Sequence, residues 1–267
     1  MRSDLIVVSW WSNCLGLKCL DALAGFVDLR TIHVLQVGKS EEQKQVFRQR
    51  MPAQVVELDY PPDLSHQHSV VIETVVRDLL PDSDGLWFLD HDWFVHENPE
   101  PWLAKMDRKL SRRNRCLCHR RSSRSTSITT PAFWLAPSRL PADVPSFHPT
   151  AGPADSAGAG PVLRIPEYDT LILAMQHLRK RRLVATYSRR SMPACTHLGG
   201  LSMLTTGIPP VAYQPWFRAF VGRFADFFDG CSDDWLATED PALLRRLKEF
   251  RLAVSGQSDS EWDSTPR

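Results

Sequence analysis

Two carboxylates, Asp90 and Asp92, flank His91 at the end of an apolar run, Leu86-Trp87-Phe88-Leu89. Hard divalent cations take oxygen ligands, and Mg2+ commonly combines one or two carboxylates with substrate phosphates. The pair therefore suits a metal-bound diphosphate, although an isolated Asp-x-Asp also serves to close a strand in a solvated turn. Two downstream groups bear on that choice. Asp169, with Glu167 just ahead of it, opens an amphipathic stretch. A carboxylate there can take the proton of an attacking hydroxyl, or simply cap a helix. His197 stands beside Gly199-Gly200, glycines that let a backbone approach a phosphate closely; such an imidazole is either a ligand or a structural side chain.

The elements that must position these groups can be read from hydropathy. Leu5 to Trp11 is an apolar run suited to a central strand, and Leu15, Leu17, Leu20, Leu23 and Phe26 follow at roughly helical spacing. Thr31 to Val37 predicts a second strand, and Ser40 with Gln43 three residues on has the form of a helix start. Gln54 to Leu58 predicts a short third strand, and Ser69 to Leu80 a helix closed by Pro81. The fourth strand delivers Asp90 and Asp92. This β-α-β-α-β-α-β order implies a largely parallel sheet covered by helices, whose strand carboxyl ends are where ligands bind.

The second half predicts strands at Arg115 to His119 and Ala132 to Leu135, then a helix from Asp169 to Leu183. Two more helices are expected, at Phe217 to Phe228 and Pro241 to Val254. The Ala/Gly/Pro stretch from Ala151 to Pro161 predicts a mobile loop, and the polar tail from Ser255 predicts disorder. The domain reading is 1–205 as the main unit, divided into a nucleotide-binding half (1–95) and an acceptor-side half (96–205). A helical extension over 206–254 and a disordered tail over 255–267 follow.

The 267 residues are 43% hydrophobic and 24% charged with a formal charge of +1, which are globular proportions and give no case for a nucleic-acid partner. Arginine and lysine do cluster between Arg108 and Arg124 and again at Arg179 to Arg182, patterns of solvated faces or anion contacts. The six cysteines form no Cys-x-x-Cys pair. No run reaches the roughly 18–20 apolar residues needed for a membrane span. With no signal-peptide pattern ahead of the first strand, the expectation is a cytoplasmic protein.

Taken together, four segments resemble a GT-A-fold, nucleotide-sugar-dependent glycosyltransferase, similar to glycosyltransferase family 2. They are Ser9-Trp10-Trp11-Ser12-Asn13; Asp90-His91-Asp92 at the position of the family's Asp-x-Asp; Tyr168-Asp169-Thr170; and Thr196-His197-Leu198-Gly199-Gly200. The resemblance covers Leu5 to Ser202. It implies a Rossmann-like, mostly parallel α/β sheet flanked by helices, followed by a helical C-terminal extension. The implied reaction moves a sugar from a UDP, GDP or dTDP donor to a hydroxyl-bearing small molecule or glycan, with inversion by single displacement. Mn2+ or Mg2+ is the implied cofactor, with Asp90, Asp92 and His197 as ligands and Asp169 or Glu167 as base. Ser9, Trp10, Asn13, Gly38, Asp59 and Asp90 would meet the nucleotide, and His66 and His68 either face the diphosphate or sit in an exposed loop. The second strand departs from the family's acidic turn, ending Gly38-Lys39-Ser40.

Other classes remain open at this point. Cys116, Cys118, His119, Cys195 and His197 contain enough soft ligands for a zinc site. A sugar-nucleotide nucleotidyltransferase shares the sheet and the carboxylates but wants a Gly-rich loop after the first strand. A non-catalytic binding protein on the same scaffold is the third alternative. The C-terminal aromatics, Tyr213 to Phe224, suit an acceptor cleft, a homodimer contact or a core equally.

Overall fold

The computed structural model describes residues 2–64, 68–110, 113–119, 132–147, 172–198 and 215–255. Nine strands are described: β1 (Asp4–Trp10), β2 (Ile32–Val37), β3 (Val55–Glu57), β4 (Leu86–Asp90), β5 (Trp93–Val95), β6 (Cys116–His119), β7 (Ala132–Leu135), β8 (Val184–Tyr187) and β9 (Cys195–His197). The helices are α1 (Asn13–Ala24), α2 (Glu41–Arg50), α3 (His68–Thr74), α4 (Glu100–Lys109), α5 (Ile172–Lys180), α6 (Pro215–Asp229), α7 (Asp233–Leu236) and α8 (Pro241–Ser255).

A seven-stranded sheet runs in the order β3-β2-β1-β4-β7-β6-β8, and β5 pairs with β9 in a separate two-stranded sheet. The first four strands are parallel, as the alternating β/α order requires. Beyond β4 the sheet becomes mixed: β7 is antiparallel to β4 and β6, and β8 is parallel to β6. This is the expected Rossmann-like α/β sheet with a helical C-terminal extension.

Because successive side chains point to opposite faces, each central strand fills two cores. Leu5, Val7, Trp87, Leu89, Ala132 and Trp134 join α1 and α4 on one side. Ile6, Val8, Leu86, Phe88, Phe133 and Leu135 join α3 and α5 on the other. Burial of each large side chain stabilises the fold by about 1.5–3 kcal/mol. Below α4 the Arg30 guanidinium is buried between Glu100 at 2.6 Å and Asp107 at 2.8 Å.

Local chemistry fixes the helix ends. The Ser12 hydroxyl accepts from Leu15 N at the start of α1, and the capping box expected of Ser40 and Gln43 opens α2. The helix expected over Ser69 to Leu80 is α3 followed by a π-helical turn, Val75–Leu79. The helix expected from Asp169 is described from Ile172; Asp169, Glu167 and the Ala151 to Pro161 segment lie outside the described residues. The two C-terminal helices are α6 and α8. With α1 they form a third apolar cluster of Cys14, Leu15, Leu198, Phe224, Phe228, Cys231, Leu243 and Leu247.

Candidate active site

The run from Leu86 to Val95 is two strands, not one. A turn at His91-Asp92 ends β4 and redirects the chain into β5, which leaves the main sheet to pair with β9. His91 makes the break. Its ring turns inward, with Nδ1 3.0 Å from the Val8 carbonyl on neighbouring β1. Burial lowers the imidazole's pKa, with Asp92 and Asp90 opposing that shift. Among the described residues its buried Nε2 has no hydrogen-bond partner. The two carboxylates therefore sit either side of an internal anchor, Asp90 half-buried at the end of β4 and Asp92 buried in the turn.

The β5–β9 pairing brings distant sequence to this turn. His197 stands opposite Trp93 in the register, and Leu198 N donates to the Asp92 carbonyl at 3.2 Å. The backbone of His197 is thus held beside Asp92 although about a hundred residues separate them in sequence; Gly199 and Gly200 lie outside the described residues. Among the described residues no group of three or more His, Cys, Asp or Glu side chains is gathered for a metal ion. Two carboxylates at a strand end nevertheless fit a hard cation that keeps water and phosphate as its other ligands.

The cysteines do not compose the alternative zinc site. Cys116 and Cys118 lie in the cluster on the α3–α5 side. Cys195 packs against the cluster on the opposite side.

At the carboxyl ends of β1 and β2 the expected nucleotide contacts fall into two groups. Ser9 and Asn13 are wholly buried. Lys39 Nζ donates to Ser9 Oγ at 2.7 Å, and Asn13 Nδ2 donates to the Gln43 carbonyl at 2.9 Å. Trp10 is 8% exposed and meets Trp11 and His68 ring to ring, at 5.5 and 5.7 Å. Gly38 has φ +70°, and a Cβ on it would lie 2.3 Å from Trp11 Nε1, so this turn admits only glycine without displacing the indole. Asp59 is exposed beyond β3, and His66 lies outside the described residues.

Sequence reasoning missed Glu239. This residue, from the turn between α7 and α8, is buried at the start of α1. Its carboxylate accepts from the Ser12 hydroxyl, from Asn13 N at 3.2 Å and from Cys14 N at 3.2 Å. An anion is favoured there by the helix dipole and the free amides. Burial raises the Glu239 carboxyl's pKa, with the Ser12 hydroxyl, two backbone amides and Lys39 opposing. Burial also brings Lys39 down to about 7, with Glu239 and Glu57 opposing. Nothing in Thr238-Glu239-Asp240-Pro241 separates such a plug from ordinary acids at a helix start.

No family model matches the chain. No curated protein matches it in sequence. Among solved structures, glucosyl-3-phosphoglycerate synthase from Mycobacterium tuberculosis, in complex with Mn2+, uridine diphosphate and glucosyl-3-phosphoglycerate, is similar at 12% identity and a TM-score of 0.46, over 76% of this chain and 75% of that one. A putative nucleotide-diphospho-sugar transferase from Desulfovibrio desulfuricans G20 is similar at 12% identity and a TM-score of 0.45, over 95% and 99%. The WbbM bifunctional glycosyltransferase, at 9% identity and a TM-score of 0.39, shares 52% of this chain, which spans only 32% of its length.

Proposed function

We propose that this chain is a GT-A-type glycosyltransferase that moves a sugar from a nucleoside diphosphate to a hydroxyl acceptor, using a divalent metal. The observation that carries the reading is the junction at the end of β4. There Asp90 and Asp92 close a central strand, and the β5–β9 pairing returns His197 to the same turn. Ligands bind at such strand ends in α/β sheets. The turn from β1 into α1, held by Ser12 and filled by Glu239, offers no open Gly-rich loop for a triphosphate, which favours transfer over nucleotidyl chemistry.

In this reading Asp90 and Asp92, with His197, would hold Mn2+ or Mg2+, which would supply positive charge to offset that developing on the departing diphosphate. The nucleotide lies over the carboxyl ends of β1 to β3. Trp10 offers a ring face, Gly38 a close backbone approach, and Asp59 and Asp90 hydroxyl acceptors for the ribose. Ser9 and Asn13 act from beneath, fixing Lys39 and the start of α2. Asp169, with Glu167 as substitute, takes the acceptor's proton as the bond forms, and attack from the face opposite the diphosphate inverts the anomeric carbon. The domain reading stands with it: residues 1–95 serve the donor, 96–205 the acceptor, and 206–254 form the extension. The protein acts in the cytoplasm, alone or as a homodimer; among the described residues no helix is long and apolar enough to cross a membrane.

The reading is tested by incubating the chain with a panel of nucleoside diphosphate sugars, Mn2+ and mixed hydroxyl acceptors, and measuring release of nucleoside diphosphate. Wild type should release it from one donor class. Asp169→Asn should still bind that donor and lose transfer by about 10²–10⁴-fold. Full transfer by Asp169→Asn places the base elsewhere, and release from no donor rejects the activity.

A further inference from the structure

We propose that Cys14 and Cys231 are an oxidation site: a thiol pair that closes into an intramolecular disulfide and fastens the C-terminal helices to the start of α1. Their sulfurs lie 3.2 Å apart although the residues are 217 positions apart in sequence. Cys14 is in the first turn of α1 and fully buried, whereas Cys231, in the turn after α6, is 9% exposed. A disulfide needs a sulfur separation of about 2.0 Å, so closure requires an approach of roughly 1 Å, within reach of small side-chain rotations. Cys116 and Cys118, two apart on one strand, are also joined by a side-chain hydrogen bond, but that contact is local and ties no distant element. Cys19 Sγ donates to the Trp93 carbonyl at 3.4 Å, and Cys116 Sγ lies 3.6 Å from the Met175 sulfur.

The surroundings explain what closure would do. Cys14 and Cys231 belong to the apolar cluster that joins α1 to α6 and α8. The same joint holds Glu239, whose carboxylate accepts from the Cys14 amide. A covalent bond here would tie the two ends of the described chain together beside that carboxylate. The joint, now held by packing and hydrogen bonds, would no longer open independently.

The oxidant is a low-molecular-weight disulfide such as glutathione disulfide. The more accessible Cys231, as thiolate, attacks one glutathione sulfur and displaces a glutathione thiolate, leaving a mixed disulfide. Cys14 then loses its proton and attacks Cys231 Sγ, displacing the second glutathione. Two protein thiols are oxidised by two electrons, and one glutathione disulfide is reduced to two thiols. Burial and the neighbouring Cys231 push the Cys14 thiol up, so the second step is the slow one.

The test exposes the whole native chain to glutathione disulfide, then denatures it, alkylates free thiols and maps peptides without reduction. A Cys14–Cys231 cross-linked peptide is expected, with four of the six cysteines still open to alkylation. The product should migrate faster on a non-reducing gel and revert with dithiothreitol. Cys231→Ser should abolish the cross-link and the mobility shift. Retention of all six free thiols, glutathione adducts without the cross-link, or pairing of Cys14 with another cysteine would each overturn the proposal. The readout needs no activity, so it stands or falls apart from the glycosyltransferase reading.

Discussion

Asp92 holds two roles, and they separate by atom. Its backbone carbonyl anchors Leu198 at 3.2 Å, while its carboxylate is the proposed cation ligand. Asp92→Asn preserves the first and weakens the second, because a neutral amide is a poorer partner for a hard cation. The variant should stay folded, because the backbone anchor is untouched; a collapse of the fold in circular dichroism would make the residue structural. Gly38 makes an equally local prediction. Its φ of +70° and the 2.3 Å that would separate an added Cβ from Trp11 Nε1 mean that Gly38→Ala should cost about 1–2 kcal/mol from the left-handed backbone alone. Urea unfolding followed by circular dichroism reads the loss.

At the scale of elements, the C-terminal extension is joined to α1 through Glu239. Glu239→Ala and Glu239→Gln both remove the charge that opposes the burial of Lys39, but only Glu239→Gln keeps a hydrogen-bond acceptor for Ser12, Asn13 and Cys14. The alanine variant should therefore lose several times more stability than the glutamine variant, and hydrogen exchange should quicken first in α6 and α8. Equal losses would show that these hydrogen bonds contribute nothing to the joint. This contact was illegible in the sequence, since its partners are more than two hundred residues apart and each reads locally as a helix start. The parallel core of β1, β2 and β4 was legible because these strands are mostly apolar and buried on both faces. The strands β5, β8 and β9 were not: β5 reads as a continuation of the apolar run of β4, and Val184-Ala185-Thr186-Tyr187 and Cys195-Thr196-His197 carry no sustained apolar run. Of the candidate site, the Asp90/Asp92 pair and His197 were singled out as residues, but the β5–β9 pairing that sets the His197 backbone beside the Asp92 turn was not.

For the whole molecule, the sheet's polar burials set its pH response. His33 on β2 is 8% exposed, and burial holds its imidazole below the ordinary 6.5, against the pull of Asp4. The unfolded chain takes up that proton below about pH 6.5 while the folded chain resists it, so the unfolded state binds more protons there. Stability should be full above pH 6.5 and fall as pH drops through the folded-state value. His33→Leu should flatten that slope, leaving the part due to His91, which is held down in the same direction. Urea midpoints measured from pH 7 to pH 5 check it, and an unchanged slope in the variant would remove His33 from the account. The central claim, a metal-bound nucleoside diphosphate at the end of β4, is met most directly by calorimetry of UDP, GDP and dTDP with and without Mn2+. We predict that one of them binds wild type only when Mn2+ is present and that Asp92→Asn, still folded, loses that binding. Binding to none of the three, or binding by the variant as tight as by wild type, would contradict it.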